Sequence, residues 1–274
     1  MATYVITGVS RGIGYAFLTE LTQDPQNTVI GLVRDKTSTL KKISEDPQMK
    51  GRSNFHILRA DVTDYESLKK AAAETSKITG GAIDYLIGNA GYISTYDAFD
   101  PIGYLDSTNP EETERDLRKC FEVNVVGQVH LITLFLPLVL KGKTKKVVSV
   151  TSGLADLDMT NNFDLFNGPL YAVSKAALNM VIAKFSVQYK QDGVLFLSVC
   201  PGMVDVGLYT EATPEQQEKL GGLMAKFTKY KPDFSGPVTP EVAVRDIKAV
   251  WESKSVENGD GGAFLSHHGN KQWL

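Results

Sequence analysis

The strongest constraint on the fold lies at the start of the chain. A β-rich apolar run, Thr3 to Thr7, passes straight into Gly8-Val9-Ser10-Arg11-Gly12-Ile13-Gly14 and then into a stretch with apolar Ala16, Phe17, Leu18 and Leu21. That succession reads as strand, glycine turn and amphipathic helix. Glycines permit backbone torsions and close approaches that a Cβ would block, and the mouth of the helix points unpaired N–H groups at the turn. A phosphate is favoured there. A glycine cluster alone is a weak signal. Directly after the first strand and at the opening of the first helix, Gly8, Ser10, Arg11, Gly12, Ile13 and Gly14 become candidates for holding a dinucleotide. The spacing Gly-x-x-x-Gly-x-Gly differs from the commoner dehydrogenase fingerprint.

Further strands are expected at 28–33, 55–60, 82–87, 145–151 and 194–200, with a closing strand at 262–265. Helical patterns separate them, among them a long one over 111–139, one over 171–189 and a last one over 239–251. Strands alternating with helices argue an α/β chain with a doubly wound parallel sheet, whose ligands gather at the carboxyl ends of the strands. No internal repeat, low-complexity tract or linker interrupts the 274 residues, so 1–274 is expected to form a single domain. Lys plus Arg total 29 against 32 Asp plus Glu, a net charge of −3, which gives no electrostatic reason to expect nucleic acid or an anionic membrane as partner. Cys120 and Cys200 are the two cysteines, far apart and outside any metal motif, and they read as free thiols in a reducing compartment. No metal is expected. With no basic leader and no apolar run near about 18 residues, a soluble, cytoplasmic protein is expected.

Each strand end offers candidates. An acid after the second strand would accept from a ribose 2′-hydroxyl, whereas an arginine suits a 2′-phosphate. Arg34 follows Val33, and Arg11 already stands in the glycine turn, which favours NADP over NAD. The competing assignment makes Asp35 the ribose acid and Arg34 a solvated charge. After the third strand come Asp61 and Val62, with Asp61 able to accept from an adenine amino group, while Thr63 or Asp64 can cap the next helix. A turn role explains Asp64 better than Asp61. Asn89-Ala90-Gly91 follows the fourth strand, a small-residue turn on which a flat ligand can lie. Residues 94–110 read as a rim loop, and 154–169 as a loop bordering the substrate. Thr213-Pro214-Glu215 resembles a helix start, but the stretch around it, 205–240, with Leu208, Tyr209, Leu223, Met224 and Phe227, is the least regular and reads as a mobile lid over an apolar substrate, although simple packing explains those residues equally well.

Tyr171 and Lys175 stand at i and i+4, so a helix puts both side chains on one face. Bringing a phenol from a pKa of about 10 to about 7 takes roughly 4 kcal/mol of selective phenolate stabilisation, which an ammonium about 4 Å away supplies at the dielectric of a half-open cleft. The pair could then exchange a proton with a carbonyl or an alcohol. An isolated Tyr-x-x-x-Lys is usually only a surface helix, and its companions decide the matter. Ser152 sits at the end of the fifth strand, where a turn serine is the bland reading. Asn124 lies in an apolar surround, either as a satisfied core amide or opening its helix to hold a water behind Lys175. Ala172, Ala176, Val181 and Phe185 on the 171–189 helix can serve a subunit interface.

Assembled, these residues resemble the short-chain dehydrogenase/reductase family over essentially the whole chain: Thr7-Gly8 to Gly14, Asp61, Asn89-Ala90-Gly91, Asn124, Ser152, Tyr171 with Lys175, and Pro201-Gly202. The nearest likeness is to carbonyl reductases of the C-factor and sniffer type, including fungal ketoreductase-like members, partly through Val33-Arg34-Asp35 and the closing Gly262-Ala263-Phe264-Leu265-Ser266. The resemblance implies a Rossmann-type sheet of about seven strands between helix layers. It makes Tyr171 the general acid/base, and Lys175 both the depressor of its pKa and a ligand of the nicotinamide ribose. Ser152 would bond the substrate oxygen and Asn124 the water of a proton relay, while Pro201, Gly202 and Val204 join the cofactor-binding residues. Two departures stand out. Val206 occupies a register where the family often has Thr, and the gap from Ser152 to Tyr171 is longer than the family norm. The implied function is an NADPH-dependent carbonyl reductase acting on a small ketone or aldehyde, in secondary metabolism, as a homodimer, a homotetramer or a monomer. An NAD-linked alcohol dehydrogenase is the alternative within the enzymes. A non-catalytic NADP-binding sensor or interaction protein is the alternative outside them, against which stands the filling of all four catalytic positions.

Overall fold

The strand segments are nearly continuous runs of Val, Ile and Leu rather than alternating patterns, so both faces of any sheet they form must be covered. A computed structural model describes residues 1–274 and has that arrangement. Its strands are β1 (Thr3–Thr7), β2 (Thr28–Val33), β3 (Phe55–Arg59), β4 (Tyr85–Gly88), β5 (Lys146–Val150), β6 (Leu195–Cys200) and β7 (Ala263–Ser266). All seven pair in parallel, in the order β3-β2-β1-β4-β5-β6-β7. Ten α-helices connect them: α1 (Gly12–Leu21), α2 (Lys36–Glu45), α3 (Tyr65–Thr79), α4 (Ile102–Thr108), α5 (Pro110–Phe121), α6 (Gly127–Val139), α7 (Leu157–Asn162), α8 (Pro169–Gln188), α9 (Pro214–Tyr230) and α10 (Pro240–Ser253). On one face Ile6, Val148 and Leu197 pack against Phe17 of α1 and Ile247 and Trp251 of α10. On the other, Val5, Leu86 and Phe196 meet Leu68 of α3, Phe135 of α6 and Leu178 of α8. The result is the three-layer, doubly wound sheet read from the sequence.

Several boundaries differ from expectation, each for a local reason. The segment 82–84 is not strand, because Ile83 donates its N–H to Leu138 at the end of α6. Asp84 is also occupied, accepting from the amides of Thr3, Lys143 and Thr144. The expected loop 94–110 carries α4, and Asn109 then caps α5 by accepting from Glu112 N. The 154–169 loop carries α7, capped by Asp156. The irregular 205–240 segment carries α9, whose expected start at Thr213-Pro214 is a capping box between Thr213 and Gln216. The long 111–139 helix is broken into a π turn over Glu122–Val126. On α8, Phe185 stacks on Phe196 of the core, 5.8 Å between ring centroids, so the exposed apolar stripe is instead Val173, Ala176, Met180 and Val187. Two helical stretches, Pro110–Val139 and Pro169–Gln188, are long and apolar enough to cross a membrane. One side of each packs on the sheet, through Leu131 and Phe135 in the first and Leu178 and Ile182 in the second.

Strand order reverses between β1 and β4, and a cleft opens at the carboxyl ends there. One side chain ties the two strands together at that point. Thr7, only 1% exposed, accepts from Asn89 N at 3.0 Å and Ala90 N at 2.9 Å, while Asn89 Nδ2 donates to Thr7 O at 2.9 Å. Thr7→Val keeps the shape but takes this acceptor from both amides, so Asn89 N keeps Ile87 O while Ala90 N is left without a partner. A loss of about 2 kcal/mol is expected in chemical denaturation, with the m-value unchanged. An unchanged midpoint would mean that solvent reaches these amides.

Candidate active site

The first turn of α8 lacks a cap of its own, since Gly168 stands at its start in the left-handed region, φ +61. A distant carboxylate does the capping. Asp97 Oδ2 accepts from Leu170 N at 2.8 Å and Tyr171 N at 3.0 Å, which fixes Tyr171 at the helix entry. Lys175 follows one turn later on the same face, 4% exposed, with Nζ donating to Val150 O at 2.9 Å and lying 5.6 Å from the Tyr171 ring centroid. Ser152 comes from the end of β5, and its Oγ accepts from Leu154 N at 3.2 Å, so its proton is free to be donated elsewhere.

Burial acts on both titrating groups in opposite senses. It holds the Tyr171 phenol well above its ordinary range, and the Ser152 hydroxyl counters this only in part. Burial also pushes the Lys175 ammonium down to about 8. The depression of the Tyr171 pKa expected from Lys175 is outweighed here by burial. The ammonium is directed at the Val150 carbonyl, and desolvation of the phenolate dominates.

Asn124 is the satisfied core amide, and it also stands where its helix opens. It lies in the π turn and is fully buried. Its Oδ1 accepts from Tyr92 N at 2.7 Å, and its Nδ2 donates to Tyr92 O and to Ser174 Oγ, both at 2.9 Å. The helix is opened, yet both amide hydrogens of the side chain are spent. Gly91 lies between Asn124 Oδ1 and Lys175 Nζ, which are 3.3 and 3.4 Å from where its Cβ would be.

The residues proposed for a dinucleotide fit one. Gly8 (φ +77) brings the turn against Ala90, and a Cβ on Gly14 would lie 2.1 Å from Gly8 O. The first turn of α1 receives no side-chain cap, so its N–H groups remain available to an anion. Arg11 at its N-cap and Arg34 after β2 are both exposed. Asp35 accepts from Ser38 N at 2.9 Å as the cap of α2, which removes one of its oxygens from the competing assignment. Lys42 was missed. It reaches from α2 to Ser10 O at 3.2 Å and covers the Tyr15 ring, and nothing in the sequence distinguishes it from Lys36 or Lys41. Asp61 takes the turn role it had been thought less suited to, accepting from Thr63 N and Oγ1, while Asp64 caps α3. Val62 packs over Gly127. The Asn89 amide nitrogen is committed to Thr7 O, so it braces the cleft. Gly202 (φ +77) lies against His267, Val204 bridges to Val238, and Val206 rests against Gly12.

Ile13, Asn89, Gly91, Ser152, Tyr171, Lys175, Pro201, Gly202 and Val204 all line one cavity of ≈ 540 Å³. Arg11, Arg34, Asp61 and Val62 lie beyond it, at or after the carboxyl ends of β1 to β3. The far wall is apolar and comes from Met159, Leu223, Met224, Phe227 and Trp273. Trp273, 2% exposed, escaped the sequence reading. It stacks on Phe264 at 4.3 Å, its amide donates to Tyr230 Oη at 3.0 Å, and a Cβ on Gly153 would lie 2.6 Å from its own Cβ. A tryptophan directly after the polar run 269–272 was the available signal.

An amine whose folded pKa is depressed costs stability at every pH below about 8, and the cost fades as pH climbs into the ordinary lysine range. Lys175→Met is expected to make the cofactor-free protein more stable at neutral pH by about 1–2 kcal/mol, net of the lost bond to Val150 O. The gain should shrink above pH about 8 in thermal melts across pH. No gain would mean that the ammonium is hydrated.

A family model described as short chain dehydrogenase matches residues 2–217. Short chain dehydrogenase virK of Hypocrea virens is 55% identical over 274 residues, covering 100% of each chain. In fold, the chain is similar to the NADPH-bound carbonyl reductase from chicken fatty liver, with TM-score 0.76 and 23% identity over 98% of each chain. It is also similar to the carbonyl reductase Sniffer of D. melanogaster, with TM-score 0.76 and 20% identity over 98% of each chain. With its site geometry and these likenesses together, the chain belongs to the short-chain dehydrogenase family, oxidoreductases that work with a nicotinamide cofactor.

Proposed function

We propose that this protein is an NADPH-dependent carbonyl reductase that converts a ketone or aldehyde into an alcohol. The observation that carries the reading is the meeting of Tyr171, Ser152 and Lys175 in one cavity with Ile13 and Gly91 of the dinucleotide cleft. When bound, the nicotinamide supplies the hydride. Ser152 donates to the substrate oxygen and polarises it, and Tyr171 delivers the proton as negative charge grows there. Lys175 stabilises the phenolate left behind, and Val150 O holds the ammonium while it waits. A resting phenol kept neutral by burial suits reduction, which begins with the proton on Tyr171. Both amide hydrogens of Asn124 are spent on Tyr92 and Ser174, so a relay water would donate to the second lone pair of its Oδ1.

Preference for NADPH over NADH rests on Arg11 and Arg34, with Lys42 as a third cation and Asp35 occupied in capping. The chicken enzyme similar in fold was solved with NADPH. Residues 1–274 act as one unit, and the segment around α9 forms a lid whose Leu223 and Phe227 face the cavity. Free thiols at Cys120 and Cys200 suit a reducing cytoplasm, and the exposed stripe on α8 suits a dimer.

Tyr171→Phe should reduce turnover of every ketone by at least about a thousandfold while NADPH affinity changes less than about threefold, measured by stopped-flow absorbance and calorimetry. Surviving turnover would refute the role of Tyr171. Arg34→Ala should weaken NADPH binding roughly tenfold to a hundredfold and leave NADH nearly unaffected. Equal losses for both cofactors would point away from a 2′-phosphate contact.

A further inference from the structure

Six hydroxyl-bearing side chains line the cavity, and four of them are accounted for. Ser94 and Ser152 each accept from a main-chain amide, Thr210 donates to Gly207 O at 3.1 Å, and Thr151 is sealed from the open space. Tyr171 and Tyr209 remain, their hydroxyls neither bonded to the chain nor sealed. Tyr209 stands between β6 and α9, with its ring tilted against Phe99 at 5.7 Å between centroids. Burial raises the pKa of its hydroxyl, so the oxygen lies in sheltered space rather than in bulk water. A sheltered, accessible and unbonded oxygen on a side chain that lines the cavity opens onto that cavity. It is also close to the reacting phenol, since Tyr209 is among the groups that hold Tyr171 above its ordinary range. The side chains that α9 itself sends to the cavity, Leu220, Leu223, Met224 and Phe227, offer no hydrogen bond.

We infer that Tyr209 is a specificity-determining residue whose hydroxyl donates to a second, neutral oxygen of the ligand, so that the substrates are ketones or aldehydes bearing an acceptor oxygen near the carbonyl that reacts. The inference deepens the carbonyl-reductase reading and rests on it for which oxygen Tyr171 and Ser152 hold. A phenol whose pKa is raised keeps its proton at neutral pH and acts as a donor. The Asp97 carboxyl raises it further and would repel an anion, which leaves a carbonyl, an ether or a hydroxyl as the acceptor. Because the two phenols are near each other, that oxygen belongs close to the reacting carbonyl rather than at the far end of the ligand. Once a ligand fills the space, the apolar residues of α9 keep water out. An analogue with a methylene in place of the oxygen then leaves the phenol without a partner.

The test is calorimetric titration of the NADP-saturated enzyme with ketone pairs that differ by an ether oxygen in place of a methylene: α-methoxyacetophenone against butyrophenone, β-methoxypropiophenone against valerophenone, and γ-methoxybutyrophenone against hexanophenone. For at least one pair, Tyr209→Phe should shift the ratio of the two affinities about tenfold toward the alkyl ketone. The alkyl ketone should bind both proteins alike, because the ring and its contact with Phe99 are kept. A merely structural role would weaken both members of a pair equally. Ratios that move in no pair would overturn the role of Tyr209, as would a failure of every pair to bind. Reduction of the same ketones by NADPH is followed in parallel: a shifted ratio without turnover of any of them supports the recognition role and counts against the reductase reading, whereas turnover with unmoved ratios does the reverse.

Discussion

A sheet whose strands are all parallel and covered on both faces leaves little room for polar chemistry except at its ends. That constraint organises the molecule. With β1 to β7 running the same way, every strand delivers its last residue to one edge, and Thr7, Arg34, Asn89, Ser152 and Pro201 arrive there from five different parts of the chain. The Thr7 hydroxyl then joins the two halves of the sheet where the order reverses, and Asn89 returns the bond. What looks in sequence like scattered motifs is one edge in space.

Lys175 has its charge in a place where no carboxylate meets it, with only a carbonyl for company. Placing it there weakens the fold, and the benefit lies in the chemistry, a familiar trade between stability and function. The Tyr171 proton is held by the same burial, so the resting site is an acid waiting for a developing negative charge rather than a preformed phenolate. Asp97 serves the same arrangement from a distance by fixing the backbone that carries Tyr171.

The parts of this structure legible in the sequence are those written by local pattern. Unbroken apolar runs reveal the seven strands, and the glycine turn and the Tyr171–Lys175 spacing reveal where a ligand and a proton donor belong. Helices that are short or polar, such as α4 and α7, were passed over, because their start signals at Pro101 and Asp156 carry little apolar periodicity. α9 was legible at its start, Thr213-Pro214-Glu215, but not in its length, because the residues that directly follow are polar and show no apolar periodicity. The residues missed altogether, Lys42, Asp97 and Trp273, act through partners far away in the sequence: Ser10, Tyr171 and Gly153. No spacing rule encodes such contacts. Asn124 was legible as unusual, but whether its amide was spent or free depended on Tyr92 lying across from it.

The stacking of Trp273 between Phe264 and Gly153 ties one wall of the cavity to the margin of the sheet. Phe264 belongs to β7, the outermost strand, and Gly153 follows β5, so the indole bridges past the end of β6. Fraying of that margin would open the compartment from the side while leaving Tyr171, Ser152 and Lys175 where they stand.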